Sequence, residues 1–231
     1  MAPTPLGRLS KSSRLIYRSP ENSPEDIAFL QDRIINDETI QTQSTGRLPR
    51  PAPRKSAEEF IKSIQESLLG VIICLPPPPD SETESSNEAQ TSNQPVKKAK
   101  PVPIGHISLF SLTGTGYDHH RNAMIGISLI DGYRGKGYGG EAINWALDWG
   151  FQHAALHRIA IGGFSFNENA LRLYRKLGFV DEGREREAVY HCRAWHDIVC
   201  MSMLEHEWEV LRGIAPAQSD RTPSLPEVSD Q

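Results

Sequence analysis

Apolar residues recur along this chain at two spacings, and the switches between them mark its elements. Arg14 to Arg18 (R-L-I-Y-R) reads as a first strand. Ser23-Pro24-Glu25-Asp26 then opens a helix: Ser23 suits the N-cap, Pro24 the first helical position, and the two acids face the positive end of the dipole. Ile27, Leu30, Ile34 and Ile35 give that helix its apolar stripe. A second helix is predicted from Ser56 to Leu68, with Phe60, Ile61, Ile64 and Leu68 on one side and Ser56-x-x-Glu59 as a capping box. Gly70 is read as its breaker, and Val71 to Leu75 as a buried strand.

The next clear strand is Val102 to Leu112. Between the two lies Pro76 to Lys100, whose large apolar content is Val96 alone. Such a composition cannot offset the entropy of ordering and predicts a disordered insert, an overgrown hairpin loop. Loop closure costs grow only logarithmically with length, so the fold tolerates it. The tail from Gly213 has the same character. The organisation expected is therefore a flexible N-terminus (1–12), one domain (13–212) holding the insert 76–100, and a disordered tail (213–231).

The second half alternates strand and helix. Asn122 to Ile130 is a strand, Tyr138 to His153 a helix with Ala142, Trp145, Ala146 and Trp149 inward, and His157 to Ser165 a strand. Asn167 to Leu177 is a helix carrying Ala170, Leu173, Tyr174 and Leu177 on one face, stopped by Gly178. Glu185 to Cys192 and Asp197 to Leu204 close the domain as a hairpin. This pattern predicts a single α/β domain with a mixed central sheet flanked by helices.

Composition narrows the function. Hydrophobic residues are 38% of the 231, a share consistent with one packed domain diluted by unstructured segments. A formal charge of -4 supplies no field toward nucleic acid, so no specific nucleic-acid partner is expected. No apolar run suits a membrane span, and the first residues lack the apolar stretch of a secretory signal. The three cysteines, Cys74, Cys192 and Cys200, fall in strand-like contexts without metal spacing. They point to reduced thiols and a cytoplasmic protein, with the nucleus left open. His153 and His157 lack the Glu of a zinc helix and His119-His120 lack further ligands, so no metal is expected.

The chemistry concentrates after the strand that ends near Ile130. Gly132-Tyr133-Arg134-Gly135-Lys136-Gly137-Tyr138-Gly139-Gly140 leads directly into a helix. Amides at a helix N-terminus lack partners, glycines let an anion approach the backbone, and Arg134 and Lys136 add positive charge. The order fits neither the dinucleotide signature nor the P-loop. A plain glycine turn would explain it alone, but a second motif follows the next strand: Asn167-x-x-Ala170-x-x-Leu173-Tyr174-x-x-x-Gly178-Phe179.

In this order, the two motifs resemble the GNAT superfamily of N-acetyltransferases, whose acetyl-CoA motif is Q/R-x-x-G-x-G/A. The resemblance spans roughly Arg14 to Trp208. It looks closest to the branch of ribosomal-protein N-terminal acetyltransferases, especially fungal-type relatives ending in G-R-E-R-E-A-V-Y and W-H-D-I-V. It implies the GNAT fold and transfer of an acetyl group from acetyl-CoA, as cosubstrate, to an amine on a protein N-terminus, a lysine or a small molecule. It further implies that Ile127, Ser128 and Leu129 meet the pantetheine arm and that amides from Gly135 to Gly140, beside Arg134, take the pyrophosphate. Asn167 would then bond the cofactor, and Tyr174 would protonate the departing thiolate.

The chain departs from the pattern at the base. Many relatives carry a glutamate on one of the two central strands, where this sequence has Met124 and Gly162-Gly163. His106 and His191 are candidates by residue type. The gap leaves room for two rivals: a catalytically silent acyl-CoA-binding module, and an interaction protein working through its insert.

Overall fold

The computed structural model describes residues 9–77, 100–111 and 118–214. The insert's residues 78–99, the tail from 215 and the N-terminal 1–8 lie outside the described residues. In chain order the elements are β1 (Ile16–Arg18), α1 (Pro24–Leu30), α2 (Glu38–Ser44), α3 (Arg54–Gln65), β2 (Leu69–Leu75), β3 (Val102–Phe110), β4 (Asn122–Leu129), α4 (Tyr138–Gln152), β5 (Arg158–Phe164), α5 (Glu168–Leu177), β6 (Val180–His191), β7 (Ala194–Leu204) and α6 (Glu205–Arg212). A π-helical turn continues α1 through Ile35. The strands form one sheet in the order β1-β2-β3-β4-β5-β7-β6. Neighbours are antiparallel except β4 and β5, which run parallel. The expected α/β class with a mixed sheet is observed.

Ser23 caps α1 as predicted, its Oγ accepting from the Asp26 amide at 3.2 Å. The capping box at Ser56 does not form. The helix starts at Arg54 behind Pro53, and the Ser56 amide donates to the Pro53 carbonyl inside the first turn. Proline's fixed φ makes it a natural helix entrance, which moves the start ahead of the serine. Gly70 does not end α3, which stops at Gln65. It lies in β2, where a Cβ would stand 2.0 Å from the Ile64 carbonyl oxygen. Glycine is needed there because helix and strand approach closely.

Two helices escape the periodicity reading. In α2 the buried residue is Ile40, and Asp37 caps its start, Oδ1 accepting from the Ile40 amide at 2.8 Å and the carbonyl from the Gln41 amide at 2.9 Å. In α6 Trp208 is buried, with Nε1 donating to Asp148 at 2.9 Å. The last hairpin is longer than expected. It turns at Cys192 and Arg193, both with positive φ (47° and 64°), the two-residue turn that matches strand twist. Cys192 therefore sits exposed at a turn rather than within a strand.

Alternation along β3 and β4 divides the sheet's faces. Ile107, Leu109 and Ile125 join the core that includes Ala142, Ile143 and Leu147 of α4. His106, Ser108 and Phe110, opposite Ser128, Gly126 and Met124, belong to the other face. That face is covered by α1 and α3, whose Ile27, Leu30, Ile61 and Ile64 form a second cluster. Leu75 pairs with Val102, so the insert does connect antiparallel neighbours.

Candidate active site

The two central strands part. β4 and β5 are paired over Asn122–Arg158, Ala123–Ile159 and Met124–Ala160. Beyond Met124, β4 pairs with β3 and β5 with β7, so a cleft opens between residues 125–129 and 161–164. Ile127, Ser128 and Leu129 line its β4 edge and lead into the glycine-rich loop.

That loop has the geometry an anion needs. Gly132, Gly135 and Gly137 have φ of 81°, 73° and 83°, and Gly137 is the left-handed N-cap of α4. The amides of residues 134–140 meet no acceptor among the described residues. They sit at the positive end of a 15-residue helix. Such a run of orphaned donors fits a pyrophosphate and no apolar group.

The individual residues divide differently from the sequence reading. The Arg134 guanidinium braces the loop: Nε donates to the Leu129 carbonyl at 2.8 Å, and Nη2 lies 3.5 Å from Asp37. Gly139 and Gly140 are helical, and Cβ atoms there would touch Leu173 at 3.7 and 3.3 Å. Of the two, only Gly140 is tight against α5; a Cβ on Gly139 would make ordinary contact. Lys136 is exposed, its Nζ 5.6 Å from the centre of the Tyr133 ring.

Arg14, not foreseen as a site residue, joins the cradle. Its Nη1 donates to the Lys136 carbonyl at 3.1 Å, Nε to Glu141 at 2.7 Å, and the guanidinium lies 4.7 Å from the centre of the Tyr138 ring. Burial pushes the Glu141 carboxyl up, but bonds from the Ser12 hydroxyl and the Arg14 amide and guanidinium outweigh it and hold the carboxyl below its usual range. No spacing rule connects residue 14 to residues 136–141; the sheet brings them together.

Helix α5 faces the cleft from the other strand. Asn167 is its N-cap, Oδ1 accepting from the Ala170 amide at 3.3 Å. Tyr174 is buried beside β5, its ring close enough that a Cβ on Gly163 would lie 3.8 Å from Cε2. Burial pushes its hydroxyl up to about 12, so the phenol stays protonated at neutral pH.

A sequence model of the acetyltransferase (GNAT) family matches residues 54–179. The chain belongs to this family. It is 33% identical over 194 residues to an SPbeta prophage-derived uncharacterized N-acetyltransferase, YokL, of Bacillus subtilis, covering 82% of this chain and 90% of the relative. A putative ribosomal N-acetyltransferase of the same organism, YdaF, is 32% identical over 105 residues, covering 46% of this chain and 55% of the relative. The fold matches the crystal structure of a spermidine N-acetyltransferase from Vibrio cholerae in complex with CoA and spermine. There the TM-score is 0.63 at 22% identity, over 85% of this chain and 99% of that one. The protein is thus a GNAT-fold acyltransferase that draws its acetyl group from acetyl-CoA.

Met124 and Gly162 stand where the family resemblance would put a carboxylate. The two positions where one was sought converge: a Cβ on Gly162 would lie 3.4 Å from Met124 Cε. The two histidines separate. His191 lies at the far end of β6, stacked on Phe166 at 4.5 Å. His106 is buried on β3, edge-on to Phe60 at 5.0 Å, and among the described residues its Nδ1 has no hydrogen-bond partner. It lines a cavity of about 1270 Å³ with Ser108, Gly126, Ile127 and Ser128, between the sheet and the α2–α3 region. Burial lowers its pKa to about 4, so its imidazole is neutral at physiological pH. Among the described residues no cluster of three or more His, Cys, Asp or Glu could hold a metal, and no helix is long and apolar enough to cross a membrane.

Proposed function

We propose that this acetyltransferase acetylates a primary amine delivered through the cavity on the His106 face, while CoA lies along the β4–β5 cleft. One observation carries the reading: orphaned amides of residues 134–140 stand where the cleft meets the start of α4. Acetyl-CoA supplies the acetyl group as a thioester. The amides from Gly135 to Gly140 hold its pyrophosphate, and the Arg134 guanidinium keeps the loop open by tying it to β4 and Asp37. Ile127, Ser128 and Leu129 present backbone groups to the pantetheine arm. The side-chain amide hydrogens of Asn167 reach the same arm.

Tyr174 serves the departing sulfur. A thiolate of pKa near 8.5 is a weaker base than a phenolate of pKa about 12. The Tyr174 hydroxyl therefore stabilises sulfur as a hydrogen-bond donor while charge builds there. The acylated nitrogen is strongly acidic and releases the proton that leaves CoA as a thiol. No carboxylate takes that proton near Met124 and Gly162, so the amine enters already neutral and its proton passes through the Tyr174 hydroxyl or water.

Of the finer acceptor classes, the ribosomal-protein branch is favoured by the likeness to YdaF and by the β6 and β7 segments that carry G-R-E-R-E-A-V-Y and W-H-D-I-V. The test is release of CoA thiol by the full chain against a panel of N-terminal peptides, lysine peptides and small amines. Amine-dependent release is expected. CoA binding without release on any amine would instead favour the silent module.

A further inference from the structure

The cavity beside β4 has a one-sided charge. Among its described lining residues there is no aspartate or glutamate; the charged ones are Arg47 and Arg50, on the segment joining α2 to α3. Neither guanidinium is in an ion pair among the described residues. Of the carboxylates on the surrounding helices, Asp26 pairs with Arg18, Asp37 with Arg134 and Glu58 with Arg54, while Asp32 and Glu38 are exposed and outside the cavity lining. Arg50 is also fixed in place, its amide donating to Gln41 Oε1 at 2.9 Å and its carbonyl accepting from Gln41 Nε2 at 3.1 Å. The floor is polar but uncharged, with Ser108, Ser128 and His106, whose unpartnered Nδ1 belongs to a side chain more than nine-tenths buried.

A polycation has nothing to bind in such a cavity. Its amines would meet two guanidinium groups and no carboxylate, and like charges at a recognition site exclude a ligand. An anionic oxygen group fits the planar, forked donors of arginine. We infer that the acceptor is a primary amine that also bears an anionic oxygen group, received by Arg47 and Arg50 at the mouth while the amine passes inward over His106 and Ser128. This rests on the acetyl-transfer reading above and adds the acceptor's charge. It sets this chain apart from the polyamine that accompanies CoA in the Vibrio cholerae structure, despite the shared fold.

The test compares acceptors matched in size and differing in charge. CoA release by the full chain is measured with 5-aminopentanoate, O-phosphoethanolamine, 1,5-diaminopentane and spermidine, and CoA binding is titrated separately. The wild type is expected to favour the anionic amines over the diamine and spermidine by about tenfold or more in kcat/KM. In the double variant Arg47→Glu, Arg50→Glu, both exposed and on a connecting segment, that preference should invert while CoA affinity stays constant. The phosphate and carboxylate arms decide which anion is preferred. Turnover of spermidine equal to or better than the anionic amines, or a double variant with unchanged preference, overturns the inference and leaves acetyl transfer standing. CoA binding with no release on any amine overturns both.

Discussion

Tyr174 and His106 are the two side chains whose burial is tied most directly to a role. Tyr174→Phe keeps the ring and removes the donor. The single-turnover rate should fall by about 10- to 1000-fold, at or below the usual span of about 10²–10⁴ for one proton-handling group, with stability changing by no more than about 1 kcal/mol. A wild-type rate would reduce Tyr174 to core packing. His106 makes a stability prediction with a definite sign. Its pKa is lowered from 6.5 to about 4 in the folded chain. Between those values the unfolded chain binds a proton that the native one does not. Its contribution is therefore intact above about pH 6.5 and is lost as pH falls toward 4, by about 3 kcal/mol in full. Urea unfolding at stepped pH should show His106→Gln losing less stability than wild type below pH 6.5. Parallel curves would contradict the burial argument.

At the scale of elements, the glycine loop separates backbone conformation from ligand contact. Gly132 and Gly137 share a left-handed φ, and an alanine at either should cost about 1–2 kcal/mol in stability. Only Gly137 caps α4 among the orphaned amides. Gly137→Ala should weaken CoA binding roughly tenfold or more, because the cradle is the helix N-terminus itself, whereas Gly132→Ala should bind CoA as wild type does. Equal CoA affinity in all three proteins would remove the loop from the site. The elements at this site were largely legible: α4, α5, their glycine boundaries and the strands ahead of them follow from period and caps. The short polar α2 was not legible, since its one buried residue leaves no periodic stripe. Nor was the turn at Cys192-Arg193, which lacks the glycine or asparagine that marks such turns. The contribution of Arg14 was hidden because it depends on the sheet folding residue 14 back onto the start of α4.

For the whole molecule, the fold class could be read from alternating periods, but the acceptor cavity could not. It is assembled from β3, β4 and the α2–α3 segment, whose residues share no motif. The pairing of Leu75 with Val102 makes the insert a loop between neighbours. Replacing residues 78–99 with a short Gly/Ser turn should leave the melting temperature within a few degrees, since loop length changes closure entropy only weakly. A large drop would mean that those residues pack against the domain. The position of CoA tests the proposed chemistry most directly, and a crystal structure of the complex measures it. The pyrophosphate oxygens should lie about 3 Å from amides of residues 135–140, with the sulfur between β4 and β5 within reach of the Tyr174 hydroxyl. A pyrophosphate bound away from the start of α4, or a sulfur remote from Tyr174, would contradict it.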